Sequence, residues 1–276
     1  MRDMHKESLG FKILRGVLCA LFCIFAVMPI YAALIVSLTP YGNVLEAQLV
    51  PHYFELVNYL DAFKLVSRKI LNSFMYAASA TILTTAISVP AAYAIARYRF
   101  RMRKAVKFTL LLTQMMAGIV ILPALYKMFH ALGMLNSVWS LVFVYTAVNM
   151  ALVVTIHEGY FAALPKAVDE AAEIDGCSYL QVLFRIIFPI SGPGIAVGAI
   201  FVFVNTYNEF VIPLFLLSTA ETYPLTLTVY SLLTDTTIRW HIMAAASIIG
   251  IIPPVLIFTV FQKYIISGVS SGAVKG

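Results

Sequence analysis

Long apolar runs separated by short polar segments dominate this chain. Six such runs lie at residues 13–36, 72–96, 108–128, 138–157, 193–217 and 242–266. A helix of about 20 apolar residues crosses the hydrocarbon core of a bilayer, whereas a barrel strand needs about 10 residues that alternate with polar ones. The pattern therefore predicts an all-α membrane protein with six transmembrane helices.

Composition supports the same fold class. Hydrophobic residues make up 61% of the chain and charged residues 12%, against about 45–50% and about 25% in ordinary soluble domains. Inside a bilayer every backbone N–H and C=O needs a partner within the protein, and a helix supplies it. The net charge of +6 does not indicate nucleic-acid binding, because the basic residues lie between the apolar runs.

The basic residues also predict the topology. If the amino terminus is cytoplasmic, fourteen Lys and Arg residues fall on inside segments and five on outside segments. Loops rich in Lys and Arg stay in the cytoplasm, so we expect both termini there. Residues 1–71 then hold the first transmembrane helix and an outer loop. Residues 72–266 form a core of five transmembrane helices that includes a cytoplasmic loop, 158–192, and residues 267–276 form a cytoplasmic tail.

The 158–192 loop carries the signals of two short helices joined by a sharp turn. Pro165 suits the first position of a helix, where its missing N–H costs nothing. Gly176 suits a left-handed residue that ends this helix. Ser178 and Gln181 have the spacing of a capping box, which predicts the start of the second helix.

The first of these helices has the surface of a protein-binding element. One slim apolar stripe contains Ala167, Ala171 and Ile174, which share a helical face. Its polar residues are four acids against one lysine: Asp169, Glu170, Glu173 and Asp175 against Lys166. An ordinary amphipathic helix on a membrane surface usually carries Lys and Arg instead. The acidic surface therefore favours a protein partner over that alternative.

The loop resembles a known motif. Glu170-Ala171-Ala172, followed by Asp175-Gly176 and Pro189, resembles the EAA loop of ATP-binding-cassette (ABC) import permeases. The longer segment 164–176 resembles the carbohydrate-uptake branch, in particular the second permease of maltose-type transporters. Further similar segments are Asn72-Ser73, Tyr98-Arg99-Phe100, residues 132–136, Asn208-Glu209-Phe210 and the ending 267–276. The family often has tryptophan where this chain has Tyr207.

This resemblance implies a type I ABC importer permease fold and an ATPase-docking role for the loop. In the family, the first loop helix docks in a cleft of the ATPase subunit and transmits its closing motion to the spans. Glu170 would pair with a basic residue of the ATPase, and Gly176 would form the turn. The residues expected to form the docking surface are Asp169, Glu170, Ala171, Ala172, Ile174, Asp175 and Gly176.

The resemblance also implies partners and a location. The expected partners are a second permease subunit in a heterodimer, two ATPase subunits and an external solute-binding protein, besides membrane lipid. ATP and Mg would bind to the ATPase, and we expect this chain to bind no cofactor. The expected location is a bacterial-type inner membrane, which the chain crosses several times. Residues 218–240 would either reach towards the binding protein or form a simple connector.

Polar residues in the fifth run suggest a second site. Glu209 lies in an apolar segment with Asn205 and Asn208 nearby, and an acidic residue inside a membrane is costly and indicates function. These residues would line the transport pathway or form an interface with the partner permease, and the sequence leaves both open. The five histidines have no spacing that gathers metal ligands, so we expect no metal site.

Catalytic motifs do not occur in the sequence. The phosphate-binding pattern G-x-x-x-x-G-K-[ST] does not occur, so we expect a transport subunit without an ATPase of its own. The predicted function is import of a sugar or related polyol by alternating access, and the sugar class comes from the resemblance. An ion-coupled secondary transporter is the alternative. It would need unwound spans with converging polar groups, and these are not evident in the sequence.

Overall fold

The long apolar runs form helices. A computed structural model describes residues 9–44, 50–115, 118–233 and 237–273. The helices in chain order are α1 (Leu9–Leu38), α2 (Val57–Arg97), α3 (Arg103–Met115), α4 (Gly118–Ala131), α5 (Val138–Ala163), α6 (Ala167–Ile174), α7 (Tyr179–Gln181), α8 (Phe188–Ile190), α9 (Gly192–Asn208), α10 (Val211–Leu216), α11 (Leu225–Ser231) and α12 (Trp240–Ala273). A π-helical turn, Val182–Ile187, joins α7 to α8.

Four helices in the described part of the chain are long and apolar enough to cross a membrane. They are α1 over Gly10–Leu38, α2, α5, and α12 over Trp240–Tyr264. Two bent pairs also qualify, namely α3 with α4 and the Tyr179–Ile190 segment with α9. Counting each bent pair as one span gives up to six, which is the number that the hydrophobic pattern predicts. The second pair, however, includes residues 179–190, which belong to the predicted 158–192 loop.

The predicted start of the second span is wrong. Helix α2 begins at Val57, fifteen residues before the predicted start at 72. The early part carries charged residues that lower its mean hydropathy and made it resemble a loop. Its buried residues nevertheless recur every four positions, at Asn58, Ala62 and Val66, as one face of a helix requires.

The third and fifth runs are not single straight helices. The axes of α3 and α4 are inclined by 97°. Residues 116 and 117 of the predicted third span, 108–128, lie outside the described residues. Pro123 lies inside α4 and has no N–H to donate, so one intrahelical hydrogen bond is missing there. The fifth run breaks between α9 and α10, at Glu209.

Two predicted ends also move. Helix α5 begins at Val138, as predicted, but continues past residue 157 to Ala163. The predicted loop 158–192 therefore starts later than expected. Helix α12 continues past 266 to Ala273, and residues 274–276 of the predicted tail lie outside the described chain. Hydropathy marks where a helix is apolar rather than where it ends, which explains both differences.

The candidate site lies in the compact unit formed by residues 67–228 and 252–276. Helices α5 and α9 approach closely within it, because two glycines of α9 face large side chains of α5. A Cβ atom at Gly198 would overlap the His157 imidazole, and one at Gly194 would overlap the Tyr160 ring. Small residues at such a crossing are typical of membrane helices.

Candidate functional site: a docking helix fixed to the end of a spanning helix

The first loop helix, α6, begins just after a proline. Its first residue is Ala167, so the prediction that Pro165 occupies the first helical position is wrong by two residues. The Pro165 carbonyl accepts a hydrogen bond from the Val168 N–H at 3.3 Å, and the Lys166 carbonyl accepts one from the Asp169 N–H at 2.9 Å. Pro165 therefore supplies an acceptor to the first turn without belonging to the helix.

A Schellman turn ends α6. The Cys177 N–H donates to the Ala172 carbonyl and the Gly176 N–H donates to the Glu173 carbonyl, both at 3.0 Å. Gly176 has φ +78°, the left-handed conformation that its position predicts and that costs glycine little. The chain then reverses into the next helix.

The second loop helix starts with the predicted capping box. The Ser178 N–H donates to the Gln181 carboxamide oxygen at 2.8 Å, and the Ser178 side chain accepts the reciprocal bond from the Gln181 backbone N–H. This helix continues through the π-helical turn, where Val182, Leu183 and Ile187 are buried. These three side chains pack in one apolar cluster with Ala172 of α6, so the two loop helices form one packed element.

The face of α6 that carries Asp169 is bound to the end of α2. The Arg97 guanidinium and the Asp169 carboxylate form an ion pair at 2.9 Å, with 7% and 14% of the side chains exposed. The Tyr93 hydroxyl donates to the other Asp169 oxygen at 2.6 Å. Arg97 also donates to the Leu164 carbonyl, at 3.2 Å from each terminal nitrogen. The pair is thus buried and further hydrogen-bonded, which is the arrangement in which losing one partner is costly.

Aromatic rings pack beside the Arg97–Asp169 ion pair and its Tyr93 hydrogen bond. Tyr93 packs edge-on against Phe161 of α5 at 5.9 Å between ring centroids and against Tyr98 at 6.0 Å. Tyr98 in turn contacts Tyr179 at the start of the second loop helix, at 5.8 Å. Burial raises the pKa of the Tyr98 phenol above its ordinary value, so this ring is uncharged at neutral pH. These ring contacts connect α2 with α5 and with the second loop helix.

The outer face of α6 is open. Glu170, Ala171, Glu173 and Asp175 are exposed, and Ile174, a large apolar residue, is 86% exposed. Among the described residues, no basic side chain lies within ion-pair distance of the Glu170 or Asp175 carboxylate. The predicted docking residues therefore divide into two faces. Asp169 and Ala172 contact this chain's own helices, whereas Glu170, Ala171, Ile174, Asp175 and Gly176 are exposed.

A second feature is a cavity of about 810 Å³ between helices α3, α4, α5, α9 and α10. Most of its lining is apolar, and its polar side chains include Gln114, Asn149, Asn205 and Glu209. The Asn205 carboxamide donates to the Asn149 carboxamide oxygen at 2.8 Å. Asn208 is not part of this lining. It is exposed, and its carboxamide donates to the Val204 carbonyl at 2.9 Å.

Glu209 caps the break in the fifth run. One of its carboxylate oxygens accepts the N–H groups of Phe210, Val211 and Ile212, at 3.1, 2.8 and 3.1 Å. A carboxylate at the start of a helix satisfies free donors and complements the helix dipole. No sequence pattern indicates this structural role, because the apolar run predicts one continuous helix.

Polar side chains hold the first part of the 218–240 segment against α2. The Asn72 carboxamide donates to the Glu221 carbonyl at 2.8 Å and to the Tyr223 carbonyl at 3.0 Å. The Tyr76 hydroxyl donates to the Thr222 carbonyl at 2.7 Å, and the Leu225 N–H donates to the Ser73 hydroxyl at 2.8 Å. Asn72 and Ser73 form one of the segments that resemble the family, and they fix this segment to α2.

Comparison with known proteins decides the family. The family model described as "binding-protein-dependent transport system inner membrane component" matches residues 84–271. The chain belongs to this family. It is therefore a multi-pass membrane component of a transport system, and the two loop helices and the cavity both lie within the matched residues.

Relatives within the family share most of their length with this chain. The trehalose/maltose transport system permease MalG of Thermococcus litoralis is 34% identical over 96% of this chain and 96% of its own length. The sulfoquinovosyl glycerol transport permease SmoH of Agrobacterium fabrum is 31% identical over 82% of this chain and 80% of its own. The melibiose/raffinose/stachyose import permease MelC of Bacillus subtilis is 30% identical over 90% and 91%.

A solved structure has the same fold. It is a chain from a bacterial ABC transporter involved in the import of the acidic polysaccharide alginate, with a TM-score of 0.79 over 96% of this chain and 99% of that one. The two sequences are 22% identical. The predicted ABC importer permease fold is confirmed, and the ion-coupled alternative has no support from the family.

Sequence analysis missed one part of this site. Arg97 is one of the fourteen basic residues that predict the topology, and its ion pair with Asp169 also holds α6. The two residues lie 72 positions apart, and no local pattern indicates such a contact. Tyr93 was missed for the same reason.

Proposed function

We propose that this chain is the second permease subunit of an ATP-driven importer, and that the outer face of α6 binds a separate ATPase subunit. The observation that carries the proposal is the contrast between the two faces of α6. One face is bound to α2 through Arg97 and Asp169. The other presents Ile174, 86% exposed, beside carboxylates that have no ion-pair partner among the described residues. A helix that is held on one side and presents an exposed apolar side chain among carboxylates on the other is suited to a groove in a protein partner.

Each docking residue has a role in this proposal. Glu170 pairs with a basic residue of the ATPase, and Ala171 allows close approach of the two backbones. Ile174 fills an apolar pocket of the partner, and Gly176 and Asp175 form the turn that limits the contact. Asp169 and Ala172 act from the other face, because they hold the helix against α2 and the second loop helix.

The proposed partners follow from the family. A second permease completes the transport pathway, two ATPase subunits bind ATP and Mg, and an external binding protein delivers the substrate. The proposed location is a bacterial-type inner membrane with both termini in the cytoplasm, because Lys and Arg concentrate on the segments that this topology places inside. When the ATPase subunits close on ATP, they move α6. The Arg97–Asp169 ion pair transmits this motion to α2.

The proposed substrate is a sugar or related polyol. Three relatives that share most of this chain's length carry sugar or glycoside names. The cavity offers carboxamide and carboxylate groups at Gln114, Asn149, Asn205 and Glu209, which suit hydroxyl groups, and its volume is typical of small-ligand sites. Asn205 and Glu209 are proposed to line the pathway, and Asn208 is proposed to contact the partner permease.

Co-purification tests the docking proposal. The chain is expressed with the neighbouring permease and ATPase subunits, and ATPase recovery and ATP hydrolysis are measured for the native chain, Glu170→Ala and Ile174→Asp. We expect both variants to lose most of the bound ATPase, because they remove the charge and the apolar contact. The matched control is Glu55→Ala, which removes an exposed acid elsewhere and should behave as native. Equal ATPase recovery in all four proteins would refute the assignment of this face.

A further inference from the structure

The segment from the end of α2 to the early turns of α3 is unusually basic. Residues 97–107 contain six Lys and Arg residues, namely Arg97, Arg99, Arg101, Arg103, Lys104 and Lys107. Two of them are neutralised inside the chain. Arg97 pairs with Asp169, and the Lys107 ammonium pairs with the Glu158 carboxylate at 2.6 Å. Both serve to join helices of this chain.

Three of the other cations face outwards. Arg99, Arg101 and Lys104 are exposed, and no carboxylate of the described residues lies within ion-pair distance of them. The structure thus separates cations that join helices from exposed cations. A run that served only to fix helix packing would not leave three exposed charges without an ion-pair partner among the described residues.

Apolar side chains alternate with the free cations. Tyr98, Phe100 and Met102 are 37%, 40% and 65% exposed. Aromatic residues with one apolar and one polar end concentrate at membrane–water interfaces, where Lys and Arg extend towards headgroups. The alternation along residues 98–102 therefore gives this turn both components of an interfacial anchor.

The position of the turn matches that chemistry. It lies directly between the end of the candidate span α2 and the start of α3. Helix α3 has no buried residue, and its exposed apolar side chains include Phe108, Leu111 and Leu112. The chain thus passes within two helical turns from exposed cations to lipid-compatible side chains, which is the order expected of a segment that runs from headgroups to acyl chains.

We propose that residues 98–104, the basic turn, bind the phosphate groups of anionic phospholipids. Arg99, Arg101 and Lys104 contact the phosphates, and Phe100 and Met102 enter the acyl boundary. The neighbouring α6 has the opposite charge on its open face, so anionic headgroups repel α6 while they attract the basic turn. The same membrane surface therefore holds one segment and leaves the other free for a protein partner. This inference goes beyond the proposed function and does not depend on ATPase docking.

Lipid retention tests the proposal. The full complex is reconstituted in nanodiscs of phosphatidylcholine with 20% phosphatidylglycerol, purified again in mild detergent, and the retained lipids are quantified by mass spectrometry. We expect native protein to retain phosphatidylglycerol in excess of its input fraction. Each Lys or Arg near an anionic surface contributes roughly a fivefold preference. The excess of phosphatidylglycerol should therefore disappear in a triple variant that combines Arg99→Gln, Arg101→Gln and Lys104→Gln.

A matched triple variant controls for net charge. Lys64→Gln, Arg68→Gln and Lys127→Gln remove three exposed cations from segments predicted to lie on the other side of the membrane, and retention should stay native. Raising the salt concentration should also lower the native excess, because it screens exposed charges. Native retention in the first triple variant, or an excess that salt does not change, would overturn the proposal. If this variant lost the bound ATPase subunits but retained lipid as the native protein does, the basic turn would be a contact for the ATPase instead.

Discussion

The ion pair between Arg97 and Asp169 gives the sharpest test of how the docking helix is held. Asp169→Asn keeps the size of the side chain but leaves the Arg97 guanidinium buried, at 7% exposure, without its counter-charge. Breaking a buried pair from one side costs about 3–5 kcal/mol. Because asparagine retains an acceptor oxygen, we expect the lower end, about 3 kcal/mol. At about 1.4 kcal/mol for each factor of ten, local opening of α6 becomes about a hundredfold more frequent.

Amide hydrogen exchange of residues 168–177 measures this opening directly, because exchange of a short surface helix reports its local stability. The control is Glu173→Gln, which removes an equal charge from the exposed face of the same helix and should leave exchange within about twofold, as surface changes usually do. Replacing both partners, as Arg97→Met with Asp169→Leu, should recover part of the protection. If the amides of residues 168–177 exchanged at the native rate in Asp169→Asn, the Arg97–Asp169 ion pair would not hold α6.

Three further substitutions test local geometry. Gly176→Ala places a side chain at φ +78°, so thermal unfolding should show a loss of about 1–2 kcal/mol; no loss would contradict the left-handed turn. Glu209→Gln weakens the acceptor for three N–H groups and should cost about 1 kcal/mol, whereas normal stability with impaired uptake would favour substrate contact over capping. Gly198→Ala drives a methyl group into His157 and should lower stability by about 1–3 kcal/mol, while Gly159→Ala, which meets open space, should not.

Much of the fold was predictable because the bilayer imposes simple rules. Apolar length indicated six spans, and the described chain has four single helices and two bent pairs of suitable length. Turn chemistry was equally local. Gly176 and the Ser178–Gln181 pair acted as expected, since a left-handed glycine and a capping box depend on residues within a few positions.

The start of α2 and the break at Glu209 were not predictable in the same way. Residues 57–71 are helical because one face is buried, which tertiary contacts decide and mean hydropathy does not report. The break after α9 follows from a carboxylate that accepts three N–H groups. From the sequence, this carboxylate could only be interpreted as a costly charge within an apolar run.

The orientation of α6 was ambiguous for a similar reason. Two apolar patterns fit the same helix, one through Ala167, Ala171 and Ile174, the other through Val168 and Ala172. Only the second is turned towards the chain's own helices, where Ala172 is 2% exposed. The ion pair with Arg97 selects that orientation, and it joins positions too distant for any local pattern to reveal.

Uptake by reconstituted vesicles tests the central claim most directly. The chain is reconstituted with its partner permease, the ATPase subunits and the binding protein, and uptake of labelled sugars is measured with ATP alone or with a proton gradient alone. The account predicts uptake of at least one sugar or polyol that requires ATP and the binding protein and is unaffected by collapsing the gradient. Uptake driven by the gradient without ATP would contradict it.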